Sequence, residues 1–86
     1  MDKTSREIVY ECFVELANEM NLNINPSDEI VMNRDTGFDS LGLVTFVLGL
    51  ENRTGIEFDN YLSDIREATC LKDVIDLVES VINADK

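Results

Sequence analysis

The sequence predicts an all-α domain with three main helices, one short helix and a long first loop. Three observations carry that prediction. Apolar residues recur at helical spacing in three separate stretches. No stretch of useful length alternates apolar and polar as a half-buried strand does. The 86 residues suit one small domain, and 44% of them are hydrophobic, enough for one packed core.

Helix one opens at Thr4-Ser5-Arg6-Glu7, which reads as a capping box. Ile8, Val9, Cys12, Phe13, Leu16, Ala17 and Met20 follow at helical spacing, so the helix is expected from about Ser5 to Met20. From Asn21 to Asp39 the chain turns rich in Asn and Asp and holds its one Pro. Leu22, Ile24, Ile30, Val31 and Phe38 are expected to anchor this long loop, with room for a helical turn after Pro26-Ser27. Helix two is expected from Ser40 to about Thr54, capped by Asp39 or Ser40 and stopped by Gly55. Asp59 is the expected cap of a short helix holding Tyr61, Leu62 and Ile65. Thr69 is the expected cap of the last helix, whose stripe is Leu71, Val74, Ile75, Val78, Val81 and Ile82.

Charge narrows the partners. The net charge is −11, from 18 acids and 7 bases. Phosphates would be repelled, which argues strongly against nucleic-acid binding and disfavours an anionic membrane surface. A basic protein surface is the partner that such a field steers in. Two cysteines with no close pairing and no histidine argue against a disulfide framework and a zinc site. A cytoplasmic monomer is the expectation. The N-terminus lacks the apolar core of a signal peptide. The longest apolar run is about half the ~20 residues of a membrane span.

Enzyme signatures are missing. A serine nucleophile needs a base, and the chain has no histidine. Gly37-Phe38-Asp39-Ser40-Leu41-Gly42 is one residue too long for the hydrolase elbow, and no strand precedes it. No phosphate-binding glycine loop or calcium loop is present. No intrinsic catalysis is expected.

Ser40 stands apart from the other serines. It lies at the mouth of the most apolar predicted helix, where free N–H groups and the positive dipole end favour an anion. The plainer role for a serine there is helix capping. The surrounding pattern adds more: Asp39-Ser40-Leu41 opens helix two, Glu51 and a Gly55-Ile56 turn follow, then a short helix and a Thr69-capped last one. In this the chain resembles the acyl carrier protein family over nearly its whole length. The resemblance implies one acyl-carrier-like four-helix bundle spanning residues 1–86. It implies that a separate phosphopantetheinyl transferase moves 4′-phosphopantetheine from coenzyme A onto Ser40. The thiol of that arm would hold acyl groups as thioesters for a fatty-acid, polyketide or other specialised acyl pathway. Asp39 would be the acidic neighbour of the arm and Leu41 the first apolar contact for partner enzymes.

On a helical wheel, Leu43, Phe46, Val47 and Leu50 share one face of helix two, and Leu41, Val44 and Leu48 share another. By resemblance the first face lines the space where an acyl chain tucks. The second, with Glu51, would meet loading and processing enzymes through their basic and apolar docking patches. The alternative is that both stripes are buried between helix one and the long loop.

A third side reads Gly42, Thr45, Gly49 and Asn52. Many carrier proteins place acids at positions corresponding to Gly42, Thr45, Asn52 and Arg53. Of that acidic face Glu51 is kept, so a specialised carrier with dedicated enzymes is expected. Gly49 inside a helix costs roughly 1 kcal/mol against Ala and suggests a close approach. Glu7, Glu11, Glu15 and Glu19 form an acidic stripe on helix one, either a solvated face or a second docking surface. Arg6, Arg34 and Arg66 are expected to be scattered solubilising charges. Cys12 is expected in the core and Cys70 partly buried, with the working thiol on the arm.

Two alternatives stay open. An aminoacyl or peptidyl carrier more often has a second Gly and a His or Asp before its Ser-Leu, so Gly37-Phe38 favours the acyl type. An unmodified helical interaction module is the other.

Overall fold

The computed structural model describes residues 3–85. It is all-α, as the spacing predicts: α1 (Ser5–Glu19), α2 (Ser40–Thr54), α3 (Leu62–Glu67) and α4 (Leu71–Asp85). Single 3-10 turns precede α2 and α3, at Arg34–Thr36 and Asp59–Tyr61. Helix α1 packs against both α2 and α4, and α3 closes on α4. Among the described residues no helix is long and apolar enough to cross a membrane.

The capping box of α1 forms as expected. Thr4 Oγ1 accepts from Glu7 N–H at 3.2 Å, and Glu7 Oε1 accepts from Thr4 N–H at 3.1 Å. The helix stops one residue earlier than its apolar pattern suggests. Asn21 takes a left-handed φ of 58°, and Leu22 N–H reaches back to Ala17 O at 2.8 Å while Asn21 N–H bonds Asn18 O. That is the paired bonding of a Schellman stop, with Asn in the place glycine usually takes. Met20 therefore sits past the helix and is 37% exposed.

Phe13, Leu16, Phe46, Leu50, Val74 and Val78 are all essentially inaccessible at the centre of the bundle. Burying each such side chain is worth roughly 1.5–3 kcal/mol. Phe58 is also fully buried, a core residue that the polar surroundings of its stretch concealed.

Leu22, Ile24, Ile30 and Phe38 anchor the long loop to the core as expected, and backbone bonds fix it further. Ile30 O accepts from Leu71 N–H at 2.9 Å and Asp28 O from Lys72 N–H at 3.0 Å, so loop carbonyls cap the start of α4. Asp73 Oδ2 adds bonds from Thr69 and Cys70 N–H at 3.0 and 3.4 Å. The cap expected from Thr69 is thus made by the loop and by Asp73. Val31 pairs with Cys70 in one isolated bridge and leaves its side chain 50% exposed, against the expectation that it anchors the core. After Pro26-Ser27 there is a turn and no helix, because Ile30 N–H bonds back to Ser27 O and the pattern ends there. Asp59 makes no capping bond either; α3 grows out of the 3-10 turn before it.

Arg6 is not a scattered charge. Its guanidinium holds Asp28 through two bonds of 2.7 and 3.1 Å, and Tyr10 OH donates to the same carboxylate. Arg6, then Tyr10, holds the Asp28 carboxyl down to about 2. A depressed folded value stabilises the fold above the unfolded value and loses that contribution as pH falls. Wild type should therefore melt higher than Asp28→Asn near neutrality, with the gap closing between about pH 4 and about pH 2. Thermal melts across acid pH check this; a gap that stays constant would contradict it.

The cysteines sit as expected, Cys12 buried and Cys70 half-buried. Burial pushes the Cys12 thiol up to about 11. Iodoacetamide should label Cys70 in the native protein and reach Cys12 only on unfolding, read by peptide mass spectrometry.

Candidate functional site

The mouth of α2 is built by the last residues of the loop. Asn33 caps the 3-10 turn, accepting from Thr36 N–H at 3.2 Å, and Thr36 Oγ1 accepts from Asn33 N–H at 3.1 Å. Gly37 ends that turn in the left-handed region at φ 95°. The next residue, Phe38, fastens the mouth to the core. Its ring stacks on Phe13 at 6.0 Å and meets the edge of Phe46 at 5.2 Å.

Of the two candidate caps, Asp39 is the one used. Its Oδ1 accepts from Gly42 N–H at 2.8 Å. Ser40 is then the first residue of α2 and is exposed. Its hydroxyl has no hydrogen-bond partner among the described residues, and neither do the Ser40 and Leu41 N–H groups. A free hydroxyl thus stands at the positive end of a 15-residue helix.

The two stripes of α2 separate cleanly. Leu43, Phe46, Val47 and Leu50 are between 0% and 8% exposed and belong to the core. Leu41, Val44 and Leu48 are 74%, 50% and 53% exposed. The alternative in which both stripes are buried does not hold, since all three residues of the second stripe are exposed.

The third side of α2 is not an outer face that has lost its acids. Gly42 is buried, and a Cβ there would lie 1.7 Å from Gly37 O. The loop backbone crosses the first turn of the helix where any side chain would stand. Gly49 faces Cys12 of α1, whose Sγ would be 3.2 Å from an added Cβ. Arg53 turns to α1 and pairs with Glu11 at 3.2 Å and Glu15 at 2.6 Å. Space and pairing, not choice of partner, account for the absence of acids at Gly42 and Arg53. Thr45 is half-buried and Asn52 exposed, so only these two could carry a docking acid.

Glu51 is less available than expected. Its Oε2 accepts from Phe58 N–H at 2.8 Å and ties the chain after α2 to the helix. Three of the four acids of the α1 stripe are likewise engaged: Glu7 caps, Glu11 binds Lys3 and Arg53, and Glu15 binds Arg53, while Glu19 is exposed. Glu11 is held below the usual carboxylate range by Lys3 and Arg53. A shallow, open depression beside this ion network is lined by Lys3, Tyr10, Glu11, Val14, Glu15 and Arg53, away from the mouth of α2.

Sequence reasoning thus located Ser40, Asp39 and the two stripes, and missed the Gly37–Gly42 crossing and the Arg53 bridge. The signal for the crossing was present as glycines on both sides of one helix cap. In comparisons with family models, curated proteins and solved structures, nothing matches this chain.

Proposed function

We propose that the protein is a carrier that holds acyl groups on a 4′-phosphopantetheine arm at Ser40, and that it performs no catalysis itself. The observation that carries this reading is the Ser40 hydroxyl, exposed and unpartnered among the described residues at the start of α2. Asp39 does the capping, so Ser40 is free for another use. The surroundings fit the group. A phosphodiester on Oγ would meet the first-turn N–H groups of Ser40 and Leu41 and the positive helix end. Phe38 and the Gly37–Gly42 crossing hold the hydroxyl in a fixed place for a transferase to reach. When bound, the arm supplies a terminal thiol that carries the acyl group as a thioester. Leu43, Phe46, Val47 and Leu50 then form the apolar wall against which a tucked acyl chain would lie.

Intact mass spectrometry after incubation with coenzyme A and a broad-specificity phosphopantetheinyl transferase tests the proposal. The expected result is a gain of one phosphopantetheine per chain. The exposed Leu41, Val44 and Leu48 stripe also suits an unmodified helical interaction module, and an unchanged mass would favour that second reading.

A further inference from the structure

The apolar wall proposed for a tucked acyl chain has almost no free surface. Leu43, Phe46, Val47 and Leu50 are at most 8% exposed, so a chain that lies against them must take space from a side chain already there. One ring on this wall belongs to the mouth itself: Phe38, two residues before Ser40. It meets the Phe46 ring edge-on at 5.2 Å and stacks on Phe13 at 6.0 Å. The three rings differ in freedom. Phe13 and Phe46 stand inside α1 and α2 and are 0% and 1% exposed. Phe38 stands on the loop and is half-buried. Its backbone is held without the ring. Phe38 N–H bonds Asn33 O at 3.0 Å, the Gly37 carbonyl abuts Gly42, and Asp39 caps α2. The side chain can therefore turn outward about its χ1 bond while the mouth of α2 keeps its shape.

We infer that the Phe38 ring and the acyl chain of the cargo compete for one space beside Phe46, and that Phe38 thereby sets the cargo class as a short aliphatic acyl group. The inference rests on Ser40 carrying the arm. Without cargo the ring closes the core. When an acyl chain enters, the ring turns out and the chain takes its place on Phe46. The interior is close-packed, so the space released is that of one ring, enough for a chain of about six carbons. A longer chain keeps its remainder outside and gains nothing more. Ring and chain bury similar apolar area, so the exchange leaves the stability of the wild-type protein nearly unchanged.

The test loads Ser40 with acetyl, hexanoyl or dodecanoyl arms from the corresponding acyl-coenzyme A, using a broad-specificity phosphopantetheinyl transferase, and compares Tm in wild type and Phe38→Ala. In wild type, hexanoyl should raise Tm over acetyl by less than about 2 °C, because the chain only replaces the ring. In Phe38→Ala the chain fills the gap that the ring has left, and the rise should be about 5 °C or more, with dodecanoyl adding nothing further. Equal rises in the two proteins, or a further rise with dodecanoyl, overturn this inference while loading itself still supports the carrier reading. Nuclear Overhauser contacts between the Phe38 and Phe46 rings of wild type give a readout that does not depend on the variant folding. They should be present with the acetyl arm and lost with hexanoyl, and their persistence overturns the inference. No loading of wild type overturns both readings.

Discussion

Ser40→Ala is expected to take up no phosphopantetheine and to melt at the wild-type temperature. The two halves of this expectation come from different atoms. Loading needs the Oγ, and among the described residues the other serine that stands first in a helix, Ser5 of α1, is partly buried. Stability does not need it, since Asp39 bonds Gly42 N–H and Ser40 Oγ bonds nothing among the described residues. An exposed substitution of this kind stays within about 0.5 kcal/mol. Asp39→Ala is the complement: it removes the cap and should cost about 1 kcal/mol, a fall of roughly 4–8 °C in Tm for a domain this small. If Ser40→Ala still gains the mass of one arm, the arm sits elsewhere and the reading of the α2 mouth is wrong. If it unfolds, the hydroxyl is structural.

Gly42→Ala is expected to destabilise the protein, although Ala is the better helix former. Propensity alone predicts a gain of roughly 1 kcal/mol. Against it stands a Cβ placed 1.7 Å from Gly37 O, far inside contact distance. The obstacle is backbone, not the end of a flexible side chain, and it cannot step aside cheaply. Gly37 holds φ 95°, and Met20, Leu16 and Leu22 crowd the space where a side chain on it would stand. Overpacking of this kind costs about 3 kcal/mol. The net is a loss of roughly 2 kcal/mol, or about 10 °C in Tm. Gly49→Ala makes the contrast, because its neighbour is the Cys12 side chain at 3.2 Å and its helix gain is the same, so the change should be near neutral. Chemical denaturation of the two variants side by side decides it. A stabilised Gly42→Ala would mean that the loop does not cross the helix there.

Much of the fold was legible because its signals are local. The Thr4–Glu7 capping box, the Gly55 stop and the apolar periods of α1, α2 and α4 each act within a few residues. The parts that escaped depend on partners distant in sequence. Thr69 looks like a cap, but the amides at the start of α4 are met by carbonyls of Asp28 and Ile30. Arg6 looks like a loose surface charge, and Arg53 like the site of a missing docking acid, until Asp28, Glu11 and Glu15 are brought beside them by the loop and by α1. At the site, the wheel separated two apolar stripes without saying which was buried; the position of α1 does that. Gly42 is the sharpest case. In sequence it marks an acid that is missing from a docking face, and in three dimensions it is where a backbone crosses and no acid would fit. On the proposed carrier reading, that removes one reason to treat the protein as a specialised member. Thr45 and Asn52 remain.

The central claim is that Ser40 bears the arm in the protein as the cell makes it. Trypsin cuts after Arg34 and Arg53, so residues 35–53 form one peptide with Ser40 inside it. Mass spectrometry of that peptide, from protein purified from its native source, should find it heavier by one phosphopantetheine, with part of the population carrying a hydroxylamine-labile acyl group and fragment ions placing the arm on Ser40. Recovery of the same peptide wholly at its unmodified mass would contradict the account.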